Sequence, residues 1–81
     1  MERTIRFDNN RDLQILIGKY DQNLKLIEKE LKVKVVHDNL GLKVSGQRHQ
    51  VDKACELFDY LKGLIDAGSE IKSRDVSYAL K

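Results

Sequence analysis

Gly18 splits the first third of the chain into two short amphipathic helices, and this break limits the fold more than any other feature. Before it, Leu13, Leu16 and Ile17 fall at helical spacing behind Asp8-Asn9-Asn10, where either asparagine can cap a helix over residues 11–17. Asp12 sits in the first turn, where the helix dipole favours an anion. Beyond Gly18, Asp21 is a good N-cap, and Leu24, Ile27 and Leu31 form a second apolar stripe at i, i+3 and i+7. Lys25, Glu28, Lys29, Glu30 and Lys32 make the solvated face of that helix.

Strand signals flank the pair. Thr4-Ile5-Arg6-Phe7 alternates, with Ile5 and Phe7 on one face; Val33-Lys34-Val35-Val36-His37 is β-branched. Asp38-Asn39-Leu40-Gly41 has turn chemistry, and Leu42-Lys43-Val44-Ser45 alternates again, so these last two segments predict a hairpin. A long helix over residues 48–67 carries Val51, Ala54, Cys55, Phe58, Leu61 and Ile65, widened by Leu57 and Leu64, with Gly68 as its C-cap. Ser73 can cap a last helix over residues 74–80. The order is β-α-α-β-β-α plus a terminal helix. A sheet of three strands cannot bury two apolar faces, so the helices must cover one: the class is α+β.

Size and charge narrow the function. Eighty-one residues make one thin core. A single cysteine, Cys55, excludes an internal disulfide and a multi-cysteine zinc site, and it suits a reducing cytoplasm. No apolar run approaches the ~18 residues of a membrane span. Fifteen Lys and Arg against thirteen Asp and Glu give a net charge of +2, too balanced for a broad grip on duplex phosphates. Five aromatic residues and no Trp leave little for a base-stacking platform. No nucleophile–base pair or metal cluster stands out. Gly63 and Gly68 have the spacing of the phosphate-loop glycines, but Ser69-Glu70 follows in place of Lys-[Ser/Thr], so this stretch is expected to be non-catalytic, with no cofactor of its own.

The run from Ile17 to Ile27 (Ile17-Gly18-Lys19-Tyr20-Asp21-Gln22-Asn23-Leu24-Lys25-Leu26-Ile27) lies without a gap over the motif of a type I KH domain, and Lys34-Val35-Val36 follows at the expected distance. Over residues 3–80 the chain resembles the N-terminal KH-like domain of PhoH-family (phosphate-starvation-inducible type) P-loop ATPases. The segments Asp21 to Leu31, Leu42 to Gly46 and Glu70 to Leu80 carry that likeness. The resemblance implies a KH-like domain over residues 1–68, then a linker and short helix over 69–81 leading toward an absent ATPase domain. ATP and Mg would belong to that domain, within a cytoplasmic, oligomeric full-length protein. A KH loop clamps a segment of about four nucleotides, with glycine allowing close backbone approach and a helix N-terminus facing a phosphate. On that basis the candidate contacts to single-stranded RNA are Gly18, Lys19, Tyr20, Asn23, Lys25 and Lys34.

One position departs from the motif. Its second glycine is Asp21 here. As an N-cap, Asp21 is expected to fill the anion site with its own carboxylate, which weakens phosphate clamping. Two roles therefore stay open: a single-stranded RNA module, or a surface that packs on the ATPase domain or a neighbouring subunit through Tyr78 and Leu80. Tyr20 can stack on a base or fold back; Arg48, His49 and Lys53 gather at the start of the long helix; His37 reads as a lone histidine.

Overall fold

A computed structural model describes residues 1–39 and 41–80. The chain runs through β1 (Glu2–Arg6), α1 (Asn10–Ile17), a tight turn at Lys19–Asp21 and α2 (Gln22–Leu31). It continues through β2 (Lys34–His37), β3 (Gly41–Ser45), α3 (Arg48–Asp66) and α4 (Ser73–Ala79). The predicted elements are all present, with ends displaced by a residue or two.

The three strands form an antiparallel sheet in the order β1-β3-β2. Strand pairing puts Val35 opposite Val44 and Ile5 opposite Leu42. Val35, Leu42 and Val44 are buried under the helices, whereas Lys34, Val36 and Lys43, one position out of phase, are exposed. The period of two thus gives one apolar face and one open face. The core gathers Leu13, Leu16 and Ile17 of α1, Leu24 and Ile27 of α2, and Val51, Ala54, Phe58 and Leu61 of α3. Each fully buried Val, Leu, Ile or Phe side chain among them contributes about 1.5–3 kcal/mol.

Local chemistry fixes the element ends. Asn9 caps α1: its side-chain oxygen accepts the Asp12 N–H at 2.9 Å. Asn10 instead donates its amide to the Asn39 carbonyl at 2.7 Å, tying α1 to the β2–β3 turn. In that turn Asp38 Oδ1 accepts the Gly41 N–H at 2.9 Å; Leu40 lies outside the described residues. Gly68 (φ +88°) ends α3 as expected: its N–H and that of Ser69 return to the carbonyls of Ile65 and Leu64. The last helix differs in its start. Ser73 is its first helical residue, and Asp75 closes the turn by accepting the Lys72 N–H at 2.9 Å. Val76, fully buried, brings α4 onto α2 and into the common core.

Candidate nucleic-acid interface

Gly18 stands where α1 must stop and α2 must begin within four residues. Its φ of 81° and ψ of 173° suit glycine alone among the residues, and a Cβ there would come within 2.8 Å of Asn23 Nδ2. The next bend uses Tyr20 (φ 55°) and Asp21 (φ 58°), two consecutive left-handed residues that are not glycine. Such a residue costs roughly 1–2 kcal/mol. Strain of that size persists only where surrounding contacts hold it.

Two of those contacts are visible. Asn23, in the first turn of α2, is 1% exposed and donates its amide to the Leu16 carbonyl at 3.0 Å. It staples the end of α1 to the start of α2, and its own Oδ1 has no partner among the described residues. The second contact is made by Asp21. Its carboxylate does not cap α2; it lies 3.5 Å from Nε2 of His37, the last residue of β2. The expected N-cap is thereby corrected. Asp21 is left-handed, its side chain lies at the sheet edge, and among the described residues no side chain caps the N-terminus of α2.

The exposed part of the turn consists of Lys19 and Tyr20. Tyr20 is 80% exposed, so it projects rather than folding back, and Lys19 Nζ sits 5.4 Å from its ring centroid. On the α1 side, Gly18 and Lys19 border a groove of about 960 Å³ shared with Arg11 and with Gly68 to Lys72 of the α3–α4 connection. Among the described residues neither Arg11 nor Lys19 has an acidic partner, whereas Lys72 lies 4.0 Å from Glu70.

Of the six candidate contacts, Gly18, Lys19 and Tyr20 come together at the turn, with Asn23 buried beneath them. Lys25 is exposed on α2. Lys34 is exposed on the open face of the sheet, one residue out of phase with His37, and so points away from the face on which His37 meets Asp21. Arg11 and His37 were not among the expected contacts. Arg11 was findable, since it precedes Gly18 by two helical turns on one face of α1. His37 carried no such sign, because only the closed fold sets it beside Asp21.

No protein-family model matches the chain. A protein of Bacillus subtilis (strain 168) is 39% identical to it over 66 residues, which is 82% of this chain and 21% of that protein. The relative is a PhoH-like protein. The homology covers most of the present fold, and the chain spans about a fifth of the PhoH-like protein's length.

Proposed function

We propose that the chain is a KH-like, non-catalytic module of a PhoH-like P-loop ATPase and that it binds single-stranded RNA at the Gly18–Asp21 turn. The observation that carries this reading is the withdrawal of the Asp21 carboxylate toward His37. It leaves the start of a ten-residue helix without a side-chain cap, next to Gly18 and Lys19, which border the groove that Arg11 also lines. Among the described residues neither Lys19 nor Arg11 has an acidic partner. Uncapped N–H groups and the positive end of the helix dipole attract a phosphate oxygen. Tyr20 supplies an exposed face on which a base can stack. Asn23 acts from below by fixing the turn. Lys25, exposed on α2, extends the cationic surface for a longer strand, whereas Lys34 faces the other side of the sheet and is left out of the contact. The element order and the sheet order support a type I KH-like arrangement. ATP and Mg would be handled by the ATPase domain of the longer protein, in the cytoplasm, with the phosphate-starvation setting that the family resemblance implies.

Fluorescence anisotropy of a labelled single-stranded RNA tests this at about 50 mM and about 200 mM salt, where a phosphate-dominated complex loses affinity steeply. Lys19→Glu and Arg11→Glu should each weaken binding and flatten the log–log salt dependence by about 0.7 for each lost phosphate contact. Absence of binding at both salts, or indifference to Lys19→Glu, rejects the proposal.

A second reading rests on a different surface. Leu31, Leu57, Tyr60, Tyr78 and Leu80 line a groove of about 620 Å³ beside α4, and Tyr60 and Tyr78 are 54% and 77% exposed. In this reading the groove packs on the ATPase domain of the longer protein. Tyr60→Ser with Tyr78→Ser would then release that domain and leave RNA affinity unchanged.

A further inference from the structure

Among the described residues, each edge strand of the sheet has one outward main-chain group bonded by a side chain, a donor on β2 and an acceptor on β1. At the β2 edge, Glu28 accepts the outward N–H of Val35 at 3.0 Å, and Asp21 lies against His37. One outward main-chain donor of that edge is thus taken by a carboxylate from α2, while the Asp21 contact is to the imidazole. At the β1 edge the parity of the ladder identifies what faces out. Met1 and Gly46 exchange both main-chain bonds, at 2.9 and 3.0 Å, so Arg3 and Ile5 also turn their peptide groups toward β3. Glu2, Thr4 and Arg6 turn theirs away from the sheet. Among the described residues, the one group recorded there is Lys62, whose Nζ donates to the Arg6 carbonyl at 2.8 Å.

We propose that β1 pairs antiparallel with β1 of a second copy of the chain, about a twofold axis at Thr4. This register sets Thr4 opposite Thr4 and Glu2 opposite Arg6 of the second copy, so that all three outward-facing residues of each strand meet outward-facing residues of the other. Glu2 and Arg6 share the open face of the sheet with Lys43, which is already 3.4 Å from Glu2. Each Glu2 would therefore lie between Lys43 of its own sheet and Arg6 of the other. A cross-strand pair of opposite charge is favourable, and like charges in the same place are not. Neighbouring registers lack this match. Centring on Arg3 sets two arginines against each other, and centring on Ile5 leaves Arg6 opposite Thr4. The Arg6 carbonyl keeps its bond to Lys62, because a carbonyl oxygen accepts two. The product is a closed, isologous pair with a continuous six-stranded sheet.

A contact of five residues per strand is smaller than a standard interface, so association should be weak. Sedimentation equilibrium of the full chain from about 10 µM to about 1 mM covers the range expected of so small an interface. A monomer–dimer equilibrium is expected, with Glu2→Arg and Arg6→Glu each lowering the association constant about tenfold. The double exchange, which restores the opposed charges, should recover it to within about threefold of the original. Thr4→Pro removes only an outward N–H, leaves the ladder to β3 intact and should abolish dimers while circular dichroism stays native. A monomer throughout the range overturns the proposal, as do single reversals that leave association unchanged or a double exchange that fails to restore it.

Discussion

The Asp21 carboxylate rests 3.5 Å from Nε2 of His37, and this contact couples the turn before α2 to the end of β2. A residue that would otherwise oppose a phosphate at the helix start is held aside by a residue of the sheet.

Removing the imidazole should therefore weaken RNA binding indirectly. In His37→Ala the carboxylate is free to swing toward the N–H groups of α2, and affinity is expected to fall several-fold. Asp21→Gly should raise affinity at little cost in stability: relief of a left-handed residue, about 1 kcal/mol, is offset by the greater chain entropy that glycine loses on folding. With Asp21→Gly in place, His37→Ala should have no further effect. Anisotropy titrations of the four proteins close this cycle. An equal loss from His37→Ala in both backgrounds would mean that the histidine acts without Asp21.

Gly18→Ala should destabilise the fold by about 2 kcal/mol or more. The backbone there is one that residues with a Cβ adopt at a cost of roughly 1–3 kcal/mol. The added methyl would also press on Asn23 Nδ2 at 2.8 Å and Cγ at 3.0 Å. Urea denaturation reads the loss, and RNA affinity should drop with it because Asn23 cannot move without releasing Leu16.

Periodicity made the architecture legible. The stripes around Leu16, Ile27 and Phe58 and the alternation of Leu42-Lys43-Val44 each define a face without reference to the rest of the chain. Gly18 and Gly68 were legible because their roles are local and conformational. The site was harder to read. Asp21 has the chemistry of a cap, but its carboxylate lies against His37 of β2, a neighbour that only the closed fold supplies. Asn23 reads from sequence as a first-turn amide that completes the helix cap, yet in the fold it is buried and donates to the Leu16 carbonyl at the end of α1 instead. Ser73 has the preferred cap side chain; Asp75, two residues on, supplies the closing carboxylate instead.

Asn23→Ala tests the staple. The Leu16 carbonyl would lose its donor in a buried position, at a cost of about 1–3 kcal/mol. Asn23→Asp should be worse, because a carboxylate there would face that same carbonyl without a proton to give. Thermal unfolding distinguishes the two, and hydrogen exchange should show protection lost first at the turn between α1 and α2.

Cys55 sets an alkaline limit on stability. Burial on the sheet side of α3 pushes its thiol above the usual 9.0, partly opposed by the nearby positive guanidinium of Arg3. Arg3 also stands 3.3 Å from Asp52, a contact of ion-pair rather than hydrogen-bond geometry. In the unfolded chain the thiol ionises at its ordinary value, so between that value and the raised one the unfolded state has lost a proton that the folded state keeps. Stability from this group is therefore complete below pH 9.0 and declines as pH rises through the folded value. Other groups titrate in the same range, so the informative quantity is a difference. The gap in urea midpoint between the parent protein and Cys55→Ala should narrow as pH is raised from neutrality, since the variant lacks this proton linkage. Maleimide labelling of the parent should be slow at neutral pH and speed up on unfolding, as expected of a protonated, buried thiol. A gap independent of pH would show that the folded and unfolded thiols ionise alike.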